Sequence, residues 1–325
     1  MGLWPPNGVP VSFSLALEGD KRFDRYLRLL KLAERHGFYS LQLYDHLPFR
    51  PAWGLALALA PKVKRIRLGP VTIPVFLHSP HEAARELLLL SELTRGKAVL
   101  GLSRGAYHEL VGGGVRRSRH DLLRFLARLH AALSSGARLR LRSFSPKPYE
   151  LYVGTSGPLL ASEASKISYV DAVVVDNLWN PAYAAKLLGL MRAAAREAGR
   201  DEAPQLIARP FCSLAEDVEK ARALALRELS AYLPRLVGPS PMLEEGGLRR
   251  EHLTEEGALL EALERNAHNF AAVGTAEDIL AQTERMVRAG VGHICFGHPL
   301  GPDPEGSLLQ LAKRVKAYYE EQGAG

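Results

Sequence analysis

Apolar positions along the chain alternate between two periods. Short continuous or every-second-residue apolar runs give way repeatedly to runs with an apolar residue every third or fourth position. Residues 9–17 (VPVSFSLAL) read as a strand, and residues 21–37 as an amphipathic helix closed by Gly37. Residues 39–45 form the second predicted strand, followed by a short helix from Trp53 to Ala60. Residues 65–80 supply a third strand and 80–94 its helix; 97–103 supply a fourth strand and 118–134 its helix. The second half repeats the scheme: strands at 149–154, 167–176, 204–213 and 292–297, with helices from Pro158, Pro181, Ala215, Ala276 and Glu305. A Pro/Gly-rich and then charged helical insertion is expected at 235–268. Eight strands, each followed by a helix, predict a (β/α)8 TIM barrel, with a doubly wound open sheet as the alternative. No linker divides residues 1–325, so one barrel domain is expected.

The third strand, RIRLGPVTIPVFLHSP, contradicts its own apolar character. Pro70, Pro74 and Pro80 each remove a backbone donor from a stretch rich in strand-forming residues. Proline belongs at strand ends, edges and bulges, so this strand should break near the barrel mouth.

Composition narrows the picture. With 47% hydrophobic residues the chain can bury a large core. Its two cysteines, Cys212 and Cys295, lie far apart and in no metal-like spacing, which fits a reducing, cytoplasmic location and predicts no metal site. The first ten residues lack the pattern of a signal peptide, and the longest apolar run, WGLALALAP, is too short to span a bilayer. The net charge of +7 is spread along helical stretches and interleaved with acids. It predicts a solvated basic face, not a nucleic-acid site.

In a barrel of this kind, chemistry gathers beyond the C-terminal ends of the strands. On strand one that directs attention to Ser14 and Ala16, and after strand two to Asp45 and His46. Histidine titrates near neutrality and can act as acid or base, although a loop histidine is often only a loop residue. After strand four come Ser103, Arg104, Gly105 and His108, with Gly101 and Gly105 leaving room for a ligand or simply making turns. The run from Gly154 through Thr155, Ser156 and Gly157 to Pro158 leads a strand into a helix. Free N–H groups there would hold a phosphate oxygen, or the run is an ordinary capped turn.

Together these stretches resemble the bacterial luciferase-like superfamily, in particular its branch of coenzyme F420-dependent reductases, which includes methylenetetrahydromethanopterin reductases. The likeness runs through KLAERHGFYSLQLYDHL, RIRLGPVTIPVFLHSP, ELTRGKAVLGLSRG, ELYVGTSGP, NFAAVGTAEDI and GVGHICFGHPLGPDPEGSLLQLA. It implies a non-prolyl cis peptide between Val71 and Thr72, forming a bulge behind the cofactor ring, with Pro70 and Pro74 fixing the chain on either side. It further implies Asp45 and His46 beside the ring, Ser103 to Gly105 along its side, and Gly154 to Pro158 around the phosphate of the tail.

Two departures bear on activity. The strand-one glutamate of the methylene-pterin reductases matches Ser14, and the acid found after the strand-four glycine in those enzymes and in glucose-6-phosphate dehydrogenases of the group matches Ala106. Neither side chain can do that proton work. His46 is then the first candidate for handling protons, with Asp45, Tyr107 and His108 behind it. The resemblance implies an oxidoreductase using F420 on a small organic substrate, and a homodimer. The alternatives are an FMN-dependent monooxygenase and a non-catalytic cofactor-binding barrel.

Overall fold

A computed structural model describes residues 10–107, 110–111, 118–134, 148–235 and 240–323. Eleven parallel strands are present: β1 (Ser12–Leu17), β2 (Ser40–Leu43), β3 (Arg67–Pro70), β4 (Ile73–Pro74), β5 (Ala98–Ser103), β6 (Tyr149–Gly154), β7 (Ala172–Asp176), β8 (Gln205–Arg209), β9 (Phe211–Leu214), β10 (Ala271–Gly274) and β11 (His293–Leu300). The order β1-β2-β3-β5-β6-β7-β8-β11 closes on itself where β11 pairs with β1, with Ser12 opposite His293. This is the expected eight-stave barrel with helices packed around it.

The staves follow the expected pattern, including the break in stave three between β3 and β4, where the Val71–Thr72 linkage is cis. Two details differ, each with a local reason. Stave seven is split into β8 and β9 at Pro210, which has no N–H for the ladder. A short strand, β10, pairs with β9 outside the main ring; its four residues AAVG are too few to show a period. The insertion is helical as expected, with turns at Pro241–Glu245 and Glu251–Leu253 and a helix at Glu256–Asn266.

Helix starts follow the local chemistry of the sequence. Ser118 and Thr275 each accept from the N–H three residues on, while Asp121 and Asp278 return the bond to the cap residue. Gly37, in the left-handed region at φ 67°, ends the first helix.

Two materials fill the inside of the barrel. Ala16, Val71, Val99, Tyr152, Ala172, Val174, Ile207 and Cys295 form a buried apolar cluster of their own, separate from the larger core between sheet and helices. Beside it lie the buried polar side chains Ser14, Ser40, Gln42, Arg209 and His293. Ser14 was expected at the mouth; it lies instead low in the barrel, fully buried, its hydroxyl 2.7 Å from His293 Nε2.

Candidate active site

Strand residues two apart share a face, so β1 carries Ser14, Ala16 and then Glu18 up one side of the barrel interior. Glu18 is the first of the three to reach the mouth. It is 6% exposed, and its Oε2 lies 2.7 Å from His46 Nδ1. The absence of a strand-one acid inferred from Ser14 is therefore corrected: the strand presents a carboxylate, two positions above Ala16. The signal was in the sequence, since Glu18 continues the alternation, but the following Gly19 and Asp20 made it read as turn.

His46 sits among rings. Tyr44 stacks at 5.4 Å and 19°, Tyr107 lies at 5.1 Å and Tyr232 at 5.5 Å. Burial holds the Tyr44 and Tyr232 phenols well above their usual range, so both remain protonated donors. With Nδ1 directed at a carboxylate, the other ring nitrogen, Nε2, is the one left to give or take a proton.

Asp45 is anchored by two hydrogen-bonding contacts. Its Oδ1 accepts from the N–H of Ala52, the first residue of the helix Ala52–Leu59, and its Oδ2 lies 2.9 Å from His78 Nε2. Both oxygens are committed to holding the loop, where a helix start favours negative charge. It lines the small cavity with both oxygens engaged in this way.

Two adjoining cavities open at this face. The smaller, of about 190 Å³, is lined by Thr72, Ser103, Arg104, Gly105, Gly154, Thr155, Ser156 and Gly157. The larger, of about 440 Å³, is lined by Glu18, Pro48, Phe49, Tyr107, Leu110, Phe211 and Glu228 among others. Tyr44, His46, Asp176, Asn177 and Tyr232 border both. Sequence reading thus brought together most of the small cavity: all of its expected cofactor residues except Val71 and Pro158 line it directly. Val71 lies behind it, fully buried, and Pro158 opens the helix Pro158–Ser165 at its edge. His108 lies outside the described residues. Phe211 and Tyr232 were not foreseen; they come from remote stretches with no motif of their own.

The wall of the small cavity is built from hydroxyls and glycines. Thr72 Oγ1 donates to Ser103 Oγ over 2.7 Å, and the same oxygen accepts from Gly105 N–H at 3.1 Å. A Cβ on Gly101 or Gly154 would come within 2.8 or 2.7 Å of Thr72 Cγ2. Gly101, expected either to leave room for a ligand or simply to make a turn, makes room for the bulge of stave three.

Three groups point to what the cavity can hold. Arg104 is half-buried, has no charged or hydrogen-bonded partner among the described residues, and is held below the usual guanidinium range by desolvation. The helix Pro158–Ser165 starts without a side-chain cap, and Thr155 Oγ1 is occupied by the Gly157 N–H at 3.0 Å. Asn177 Nδ2 is buried with no acceptor among the described residues. A cation and an uncapped helix start suit a phosphate. A lone buried amide donor beside them suits a ring carbonyl, because a buried donor left unpaired is costly. A flavin or deazaflavin carries both features, so these residues fit such a cofactor. Among the described residues no cluster could hold a metal ion, and no helix is long and apolar enough to cross a membrane.

Residues 9–293 match the Luciferase-like monooxygenase family, and the chain belongs to it. Among curated relatives, 5,10-methylenetetrahydromethanopterin reductase of Archaeoglobus fulgidus is 26% identical, over 94% of this chain and 98% of its own length. Two solved structures superpose with a TM-score of 0.78 over 95% of this chain and 99% of theirs. They are the coenzyme F420-dependent tetrahydromethanopterin reductase of Methanopyrus kandleri, at 20% identity, and an F420-dependent secondary alcohol dehydrogenase in complex with an F420-acetone adduct, at 18%. At those identities the likeness to the two structures speaks for the fold.

Proposed function

We propose that this member of the luciferase-like monooxygenase family is an oxidoreductase that uses coenzyme F420 to transfer hydride to or from a small organic substrate. The observation that carries this reading is the His46–Glu18 pair, standing where the two cavities meet. One cavity has the donors for a ring and a phosphate; the other is an aromatic-walled space of substrate size; the proton-handling pair lies between them. Two curated relatives named F420-dependent glucose-6-phosphate dehydrogenase, each 24% identical, support the cofactor assignment.

When bound, the deazaflavin supplies the hydride chemistry. The protein's share is placement. Thr72, Ser103 and Gly105 would form the wall for a flat ring, and Asn177 Nδ2 would be the donor for a ring carbonyl. Arg104 and the start of the helix Pro158–Ser165 bind the phosphate. Tyr44, Phe49, Tyr107, Phe211 and Tyr232 exclude water around the substrate, which strengthens polar contacts inside. His46 gives or accepts a proton at Nε2, and Glu18 orients its ring and stabilises the imidazolium when it forms. Holding donor and acceptor carbons together then accounts for most of the acceleration.

A second reading, FMN with oxygen-dependent monooxygenation, is favoured by the family's monooxygenase members. Titration of the purified protein with F420 and with FMN, followed by fluorescence and visible absorption, separates the two. The first reading expects F420 to bind more tightly than FMN. Tight binding of FMN alone with oxygen-dependent turnover would overturn it, and no binding of either would favour a barrel without catalysis.

A further inference from the structure

Arg209, at the end of β8, is 1% exposed and reaches into the top of the barrel. Its Nε and Nη2 donate to the two oxygens of Asp176 at 2.5 and 2.9 Å, and Nη1 donates to Val71 O and to Gln42 Oε1. Its guanidinium lies 4.5 Å from the centre of the Tyr44 ring. It thus holds three groups of the mouth from behind: the carboxylate of Asp176, the face of Tyr44 and the carbonyl of Val71.

The contacts below it form a line with a fixed direction. A guanidinium can only donate, so Gln42 must turn its carbonyl oxygen toward Arg209, at 3.0 Å. That commits the Gln42 amide to donate to Ser40 Oγ, at 3.2 Å. The Ser40 hydroxyl then donates to Ser14 Oγ at 2.8 Å, and the Ser14 hydroxyl to His293 Nε2 at 2.7 Å. At the far end Gln205 Oε1, an acceptor 3.2 Å from Nδ1, calls for the proton there, so His293 accepts at Nε2 and the line runs in one direction. Burial independently keeps this imidazole neutral, holding its pKa down to about 3. Every member is satisfied in one polarity, and hydrogen bonds in such a line reinforce one another.

We propose that Arg209 is a positioning residue for the ring-facing wall, its guanidinium held at one angle by a one-way hydrogen-bond chain that crosses the barrel from the mouth to His293. This rests on the reading that a tricyclic ring binds against that wall. The chain explains why polar side chains occupy a barrel interior that apolar residues would fill at lower cost.

The test pairs cofactor titration with the tautomer of His293. In wild-type protein with ¹⁵N-labelled histidine, the His293 signal, assigned by its loss in His293→Asn, is expected to be that of the neutral Nδ1–H form. Arg209→Lys keeps the charge but cannot serve the same set of acceptors, and Gln42→Leu cuts the chain while leaving the Arg209–Asp176 pair intact. Both are expected to weaken F420 binding about tenfold and to shift the visible band of the bound ring. Ser14→Ala, which borders neither mouth cavity, should shift the band in the same direction by less, and Gln42→Leu should bring out the Nε2–H form. If Arg209→Lys does not fold, Gln42→Leu carries the test alone. Unchanged affinity and band in the folded variants, with only a lower melting temperature, would reduce Arg209 to a core residue and overturn the positioning role. An Nε2–H tautomer in wild type would overturn the one-way chain. Failure of the wild type itself to bind either ring is a different result: it sinks the reading of the site, and the positioning role with it, before any substitution is made.

Discussion

The two cavities at the mouth share five residues but are built from opposite materials. The smaller is backbone, glycine and hydroxyl, with Arg104 as its cation; its wall is fixed by short local bonds such as Thr72 to Ser103. The larger is lined by Tyr44, Phe49, Tyr107, Phe211 and Tyr232, and its ionic groups include two His–carboxylate pairs, His46 with Glu18 and His298 with Glu228, beside Asp176 and Arg235. A site of the first kind recognises a constant ligand through fixed donors. One of the second kind excludes water and moves protons while leaving the shape of its ligand open. The division of labour between cofactor and substrate is thus written into the two linings.

Arg209 stands behind both, so its loss should damage both. Arg209→Met leaves the partly exposed Asp176 and the buried Gln42 without their partner, and leaving such groups unpaired costs about 1–3 kcal/mol. Urea denaturation is expected to show a loss of that order. A change below about 1 kcal/mol would mean that the pair behaves as an exposed one.

The cavities separate at the next level. His46→Ala should lower kcat/KM by about 10²–10⁴ with cofactor affinity little changed, because the proton is handled on the substrate side. Glu18→Gln keeps the shape but weakens the acceptor at His46 Nδ1, so a smaller loss, about tenfold, is expected. Steady-state kinetics and cofactor titration on the same preparations check both. Equal losses in affinity and turnover would erase the distinction between the cavities.

Arg104→Ala is the converse. Removing a charge-assisted contact to phosphate should raise the cofactor dissociation constant about 10–100-fold, with kcat at saturating cofactor preserved. A fall in kcat at saturation would place Arg104 at the chemistry.

The smallest effect is a pH dependence on the substrate side. The His298 side chain beside Glu228, 3.4 Å away, holds its carboxyl down to about 2. An unfolded glutamate titrates near 4.3, so the folded state binds the proton less readily than the unfolded state. The resulting stability is present above the unfolded value and is lost as pH falls from there toward 2. Glu228→Gln should lower the melting temperature near neutrality and converge on the wild-type value toward pH 2, flattening the profile across that window. An unchanged profile would mean that the pair contributes nothing to folding.

How much of this could be read from the chain depends on how local each feature is. The alternation of runs located eight staves, because each strand and helix carries its own period, and Ser118 marked its helix start by a capping box within four residues. Asp45, His46, Ser103 to Gly105 and Gly154 to Gly157 were found because barrel topology sends every strand end to one face. Features made by distant contacts were hidden. Arg209 reads only as the end of a strand, yet it meets Gln42 across 167 positions. Ser14 and Glu18 lie on the same face of β1, and only the height of the strand in the barrel tells which of them reaches the mouth. The contacts of Gly101 and Asp45 were hidden for a related reason: the bulge beside one glycine and the helix start beside the carboxylate are tertiary neighbours.

The most direct measurement is a crystal structure of the protein with F420 bound. The account expects the ring against Thr72 and Ser103, a ring carbonyl on Asn177 Nδ2, the tail phosphate between Arg104 and the start of the helix Pro158–Ser165, and His46 Nε2 facing the substrate cavity. A cofactor seated elsewhere, or a ring lying in the aromatic cavity with Arg104 and Asn177 still unengaged, would contradict it.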